Sequence, residues 1–122
     1  TEGLGLDAIG LKPDAKGRIP VGKHYATSVP GVFAIGDVID GPMLAHKAEE
    51  EGVAVADHLA GKFAHVDYTV IPAVIFTHPE IAAVGKTEDQ LIAEKIDYKK
   101  GSFPFRANAR SMTINDTAGK VK

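Results

Sequence analysis

The 122-residue chain reads as an α/β portion followed by an α+β portion. Three observations carry that expectation. Val32-Phe33-Ala34-Ile35 is a continuous apolar run between Pro30-Gly31 and Gly36-Asp37, the pattern of a parallel-sheet strand buried on both faces. A helical pattern follows it from Pro42 to about Leu59. Beyond residue 68 the runs 69–77, 80–85 and 98–105 have the length and punctuation of antiparallel strands. The boundary therefore falls between 1–68 and 69–122.

Composition excludes several classes. The formal net charge is −2, which argues against nucleic acid or an anionic membrane as a partner. No apolar run approaches the roughly 18 residues that a membrane helix needs. Cysteine is absent, so no disulfide, thiolate metal site or thiol chemistry resides in this sequence. An intracellular compartment is the default expectation.

In chain order, Thr1 opens without an initiator methionine, and the end reads as cut. Gly3-x-Gly5-x-x-Ala8 matches a dinucleotide fingerprint as a string, but that fingerprint requires a preceding strand, so it reads as a loop. Turn residues at Lys12-Pro13-Asp14, Lys16-Gly17 and Val21-Gly22-Lys23 surround a short extended piece at Arg18-Ile19-Pro20-Val21. In the long helix, Leu44, Ala48, Gly52, Val55, Ala56 and Leu59 form the apolar stripe, with small residues allowing a close approach. Gly61 reads as its C-cap. Glu49, Glu50 and Glu51 read as a solvated face. His46 and His58 sit on polar faces without partner ligands at zinc spacing, and no metal site is expected. Run 69–77 carries Pro72 as an edge proline. Thr87-Glu88-Asp89-Gln90 is a capping box opening a short helix with Leu91, Ile92 and Ile96 on one face. Residues 106–112 read as a polar loop. Ala118-Gly119 turns into a strand at Lys120-Val121-Lys122, which reads as unfinished.

The candidate site follows from the first run. A strand ending at Gly36-Asp37 leaves a carboxylate acceptor at its carboxyl end, where open α/β sheets bind ligands. The helix beginning near Pro42 aims amide groups and a positive dipole end at the same region.

Val32-Phe33-Ala34-Ile35-Gly36-Asp37 joined to Gly41-Pro42-Met43-Leu44-Ala45-His46-Lys47-Ala48 resembles the FAD-dependent pyridine nucleotide–disulfide oxidoreductases. Agreement continues through Thr1-Glu2-Gly3-Leu4-Gly5-Leu6, Ile71-Pro72-Ala73-Val74-Ile75-Phe76-Thr77-His78-Pro79-Glu80, Val84-Gly85-Lys86-Thr87-Glu88 and Phe103-Pro104-Phe105-Arg106-Ala107-Asn108. The resemblance implies that 1–68 is the tail of a Rossmann-like FAD-binding domain. It implies that 69–122 is part of an antiparallel-sheet interface domain through which homodimers form. Asp37 would bind hydroxyls of the FAD chain between pyrophosphate and flavin. Met43, Leu44, Ala45 and His46 would form the helix N-terminus under the flavin's pyrimidine edge. The Pro42-to-Ala48 string is most similar to the branch that oxidises dihydrolipoamide with NAD. That implies lipoyl domains of 2-oxoacid dehydrogenase or glycine cleavage complexes as partners, in bacterial cytoplasm or, alternatively, mitochondrial matrix.

The family's redox-active cysteine pair and its FAD and NAD fingerprints do not occur in this sequence. Its catalytic base is a His-Pro pair with a glutamate five residues after the histidine. His78-Pro79 has Ala83 at that position, so no catalytic residue is assigned and the isolated chain is expected to be inactive. Two alternatives stand beside this reading: another FAD disulfide reductase resembling mercuric or glutathione reductase, and a non-catalytic dimerisation or binding module.

Overall fold

Run 32–35 is extended in the computed structural model, which describes residues 1–122, but it joins no sheet. Its one ladder contact is an isolated antiparallel bridge between Phe33 and Ala26. The expected parallel strand is thus an extended segment here, because its one neighbour, residues 25–27, runs antiparallel and bridges it only once, and no parallel strand lies beside it. It is held by packing instead. Ala34 is buried with Leu11, Ile19 and Ile39, and Val21, Tyr25, Val29, Val32 and Val38 close around them. Backbone hydrogen bonds pin the same core: the Ile19 N–H donates to the Val38 carbonyl at 2.7 Å and the Ala34 N–H to the Tyr25 carbonyl at 3.1 Å. Asp14 fastens the turn before it, accepting from the Lys16 and Arg18 N–H groups at 2.8 and 2.9 Å. The Arg18 guanidinium bridges Asp14 and Asp40.

A single 3-10 turn, Gly36–Val38, links the extended run to helix α1, Ala45–Leu59. The helix therefore starts three residues later than Pro42. Leu44 is its N-cap, with extended φ/ψ of −134° and 129°. The C-terminus closes as a Schellman motif: the Gly61 N–H donates to the His58 carbonyl (3.0 Å) and the Lys62 N–H to the Asp57 carbonyl (2.9 Å). Gly61 takes the left-handed conformation at φ +71°. It sits one position beyond the cap, which is Ala60.

The buried face of α1 departs from the expected stripe. Lys47, Glu51 and Ala54 are its buried residues, whereas Ala56 is exposed and Leu59 is 66% exposed. Glu51, read as solvated, is 0% exposed. Periodicity assigns a face by hydrophobicity alone, but α1 packs on a polar turn whose backbone N–H and C=O require partners. The close approach through small residues is present. A Cβ added at Gly52 would stand 3.5 Å from Ile35 Cδ1, and one added at Gly36 3.2 Å from Ala48 Cβ.

Residues 68–83 complete the first compact unit, Thr1–Gly85. Run 69–77 is shorter as a strand than expected. Tyr68–Val70 is a 3-10 turn capped by Asp67, and only β1, Ala73–Ile75, is strand. It pairs antiparallel with β2, Ile81–Ala83, with Val74 opposite Ala82.

The second unit, Lys86–Lys122, opens with the capping box. The Thr87 hydroxyl accepts from the Gln90 N–H at 3.3 Å, and the Gln90 side chain accepts from the Thr87 N–H at 2.8 Å. Helix α2, Glu88–Ala93, follows. The third strand contracts from 98–105 to β3, Phe103–Pro104, paired antiparallel with β4, Lys120–Val121. Residues 106–112 are helical rather than a loop: a 3-10 turn Phe105–Ala107 precedes α3, Ala109–Thr113. Asn108 carries the local signal for this helix, since its side chain accepts from the Ser111 N–H at 3.1 Å as an N-cap.

Glu88 is the electrostatic centre of this unit. It accepts from Tyr98 (2.7 Å) and Lys100 (2.8 Å) and pairs with Lys122. Hydrogen bonds from Lys100, Lys122 and Tyr98 lower its carboxyl from the ordinary 4.5 to about 2. A group with a depressed folded value stabilises above its unfolded value and loses that contribution as pH falls through the folded one. Acid titration followed by circular dichroism should therefore show stability falling between pH 4.5 and about 2. Glu88→Gln should flatten that part of the curve; identical acid profiles for the two proteins would remove Glu88 from this role.

Candidate functional site

Asp37 lies in the Gly36–Val38 turn, exposed, and takes no hydrogen bond from the chain. Together with Gly41 and Met43 it lines a cavity of about 380 Å³, which Thr1, Lys16 and Arg18 also border. Met43 is 76% exposed. Leu44, Ala45 and His46 lie outside this lining, at the N-terminus of α1.

That N-terminus is open for a physical reason. The first intrahelical bond runs from the Ala48 N–H to the Leu44 carbonyl at 3.1 Å. Leucine at the N-cap has no oxygen to offer, and no side chain caps the helix. The N–H groups of Ala45, His46 and Lys47 consequently have no partner within the chain. They present three donors and the positive dipole end to an acceptor from outside. The His46 ring is engaged elsewhere: its Nε2 lies 2.8 Å from the Pro72 carbonyl oxygen. Its backbone amide, not its imidazole, is what remains available.

Behind the turn sits a polar cluster that the apolar pattern did not reveal. Lys47 and Glu51 are 1% and 0% exposed and pair at 3.1 Å. The Gly36 N–H donates to Glu51 Oε2 at 2.7 Å, and Lys47 Nζ donates to the Gly36 carbonyl at 3.2 Å. The Tyr68 hydroxyl donates to Glu51 Oε1 at 2.6 Å and lies 2.9 Å from the Tyr25 hydroxyl. Burial, then the bond to Glu51, pushes the Tyr68 hydroxyl well above the ordinary tyrosine range, so it stays protonated as a donor. The legible signal was the four-residue Lys47-to-Glu51 spacing, which places opposite charges on one helix face.

A larger cavity, about 890 Å³, is lined by His24, His58, His65, Tyr25, Phe63 and neighbours. His24 stacks on His58 with ring centroids 4.3 Å apart. Burial, then the adjacent His58 and Lys23, lowers the His24 imidazole below its ordinary range. No group of three histidines or carboxylates is placed to hold a metal ion.

Comparison with known proteins bears on what this arrangement serves. Residues 1–52 match the family model described as pyridine nucleotide-disulphide oxidoreductase. Residues 71–122 match the model described as the pyridine nucleotide-disulphide oxidoreductase dimerisation domain. The chain belongs to the pyridine nucleotide-disulphide oxidoreductases. Among curated members it is 59% identical over all 122 residues to a dihydrolipoyl dehydrogenase of Cupriavidus necator, covering 26% of that protein. It is 56% identical to mitochondrial dihydrolipoyl dehydrogenase 1 of Arabidopsis thaliana and 53% to the mitochondrial enzyme of Bos taurus, covering 24% of each. The chain thus spans about a quarter of the length of the curated relatives it matches. Among solved structures, LpdA from Mycobacterium tuberculosis superposes with a TM-score of 0.83 at 29% identity, covering 98% of this chain and 26% of that one. The flavoprotein disulfide reductase RclA from Escherichia coli also gives 0.83, at 27% identity, covering 96% of this chain and 27% of that one. Bacterial and mitochondrial members both appear among the relatives. No helix of the chain is long and apolar enough to cross a membrane.

Proposed function

We propose that the full-length protein oxidises dihydrolipoamide to lipoamide and reduces NAD⁺ to NADH, two electrons and one proton going to NAD⁺ and one proton to solvent. The observation that carries this reading is 53–59% identity over the whole chain to dihydrolipoyl dehydrogenases. FAD, when bound, supplies the electron carrier between a redox-active disulfide and the nicotinamide. In this reading 1–68 is the closing part of the FAD-binding domain. Residues 69–122 contribute to a homodimer interface, and lipoyl domains of 2-oxoacid dehydrogenase or glycine cleavage complexes deliver the substrate. The compartment in this reading is a bacterial cytoplasm, with the mitochondrial matrix as the alternative.

The residues present fit the cofactor. Asp37 offers an uncommitted carboxylate for hydroxyls of the FAD chain. Met43, Leu44, Ala45 and His46 supply backbone around an uncapped helix N-terminus, whose donors suit an electron-rich ring edge. A spectrophotometric assay of the full-length protein tests the activity. NADH should form from NAD⁺ only with dihydrolipoamide. Reduction of glutathione disulfide or mercuric ion, without dihydrolipoamide turnover, would replace this assignment.

Two substitutions in the full-length protein test the site. Asp37→Ala is expected to weaken FAD binding by about 1.5–3 kcal/mol, the worth of a charge-assisted hydrogen bond. Asp37→Asn keeps a carbonyl acceptor and should lose less. Unchanged affinity of the Asp37→Ala apoprotein in a FAD titration would detach this carboxylate from the cofactor.

Ala45→Pro removes one donor at the first helical position, where that N–H has no helical partner. Leu44 is already extended, the conformation that a following proline requires. Melting should therefore be nearly unchanged. Loss of one donor worth roughly 1–3 kcal/mol lowers the flavin reduction potential by about 20–65 mV for a two-electron couple. Spectroelectrochemistry returning the wild-type potential would mean that the Ala45 amide does not face the flavin.

A further inference from the structure

We infer that Lys47, Glu51 and Tyr68 are positioning residues for Asp37: the buried Lys47–Glu51 pair, with the Tyr68 hydroxyl on it, holds the Gly36-Asp37 turn in the orientation that presents the Asp37 carboxylate to FAD. The inference rests on the reading that Asp37 contacts FAD. Three features of the cluster go beyond what burial requires. Both backbone polar groups of Gly36 are taken by the ion pair, the N–H by Glu51 and the C=O by Lys47. Gly36 is the residue immediately before Asp37, so fixing both its polar groups fixes the direction in which the chain enters Asp37. Each Glu51 oxygen is committed, Oε2 to the Gly36 N–H and Oε1 to the Tyr68 hydroxyl, with Lys47 Nζ near both at 3.4 and 3.1 Å. The carboxylate therefore has no free rotation that would release the turn.

The lysine also braces the far side. A Cβ built on Gly41 would stand 3.0 Å from Lys47 Cε, so the lysine stem runs against Gly41 while its ammonium reaches Gly36. Both glycines have positive φ, +72° and +125°. The lysine thus reaches from Gly36, before Asp37, to Gly41, beyond the turn.

Stability alone does not call for charges here. A buried ion pair is frequently matched or bettered by apolar side chains of similar volume. What the charged pair adds is direction, since a carboxylate can only accept and an ammonium can only donate, so each holds a different backbone group of Gly36. That is the property a site needs when its contact residue must be held to within a fraction of an ångström.

A double-mutant cycle on the full-length protein tests this, with FAD dissociation constants read by titrating the apoprotein and apoprotein melting followed in parallel. Glu51→Gln keeps the shape and removes the charge. It is expected to weaken FAD binding about tenfold, as substitutions behind a contact residue do. In an Asp37→Ala background the same substitution should change the affinity by less than about twofold, because the coupled contact is already gone. Tyr68→Phe, which removes only the hydroxyl on Glu51, should fold normally and give the same coupling at smaller amplitude. A merely structural cluster would affect FAD binding equally in the two backgrounds, whatever the change in apoprotein melting, so the coupling and not the melting temperature decides. If Asp37→Ala weakens FAD while the Glu51→Gln and Tyr68→Phe effects are absent or simply additive, the positioning role is overturned and the FAD contact stands. If Asp37→Ala leaves FAD binding unchanged, the contact itself is wrong and the positioning role falls with it.

Discussion

Glu51→Ala is expected to destabilise the full-length apoprotein by about 3–5 kcal/mol, the cost of stranding one member of a buried ion pair. Lys47 would keep its ammonium at 1% exposure with only the Gly36 carbonyl as partner. The buried Gly36 N–H would lose its acceptor as well, and the Tyr68 hydroxyl would be left with Tyr25 alone. Urea unfolding measures the loss. The double substitution Lys47→Met with Glu51→Leu removes both charges and leaves the Gly36 N–H short of a partner, while the Tyr68 hydroxyl keeps Tyr25 and the Gly36 carbonyl keeps the Ile39 N–H. It should cost about 1–3 kcal/mol, less than the single change. A Glu51→Ala loss within about 0.5 kcal/mol, ordinary for a surface position, would mean that the pair is solvated after all.

Gly36→Ala is the second large effect. At φ +72° a Cβ costs roughly 1–2 kcal/mol in backbone conformation. At 3.2 Å from Ala48 Cβ it must also push α1 away from the turn, and overpacking of that kind costs about 1–3 kcal/mol. The sum is roughly 2–5 kcal/mol. Gly17→Ala is the matched control, because Gly17 has φ +77° and open space where its Cβ would go. It should show the conformational cost alone. Equal losses at the two positions would show that the helix yields without penalty at Ala48.

The elements read correctly from sequence are those whose cause is local. The capping box at Thr87 and Gln90 forms both of its bonds, because the partners are three residues apart and need nothing else. The same holds for the helix stop at Gly61, whose left-handed conformation is nearly free for glycine. β1 and β2 pair in the expected region because a short connection brings them together. The α1 start differs from the sequence pattern because Pro42 is a good first-turn residue, whereas Leu44, the actual cap, is a poor one that carries no start signal.

At the candidate site the same division holds. The string Gly36-Asp37 followed by Met43-Leu44-Ala45-His46 marks an acceptor and a helix N-terminus, and these are sequence features in the strict sense. Family membership is equally legible, since it rests on order and spacing along the chain. The side of α1 that would be buried was not. Glu49, Glu50 and Glu51 are indistinguishable by type, yet Glu51 alone is enclosed while its two neighbours are exposed. That choice follows from where the Gly36 backbone groups and the Tyr68 hydroxyl lie once the chain has folded. Tyr68 is 17 residues from Glu51 and Tyr25 is 43 from Tyr68. Local pattern carries conformation because its partners are covalently near. A buried charge is settled by partners brought together through the fold, for burial without them would cost more than the fold can offset.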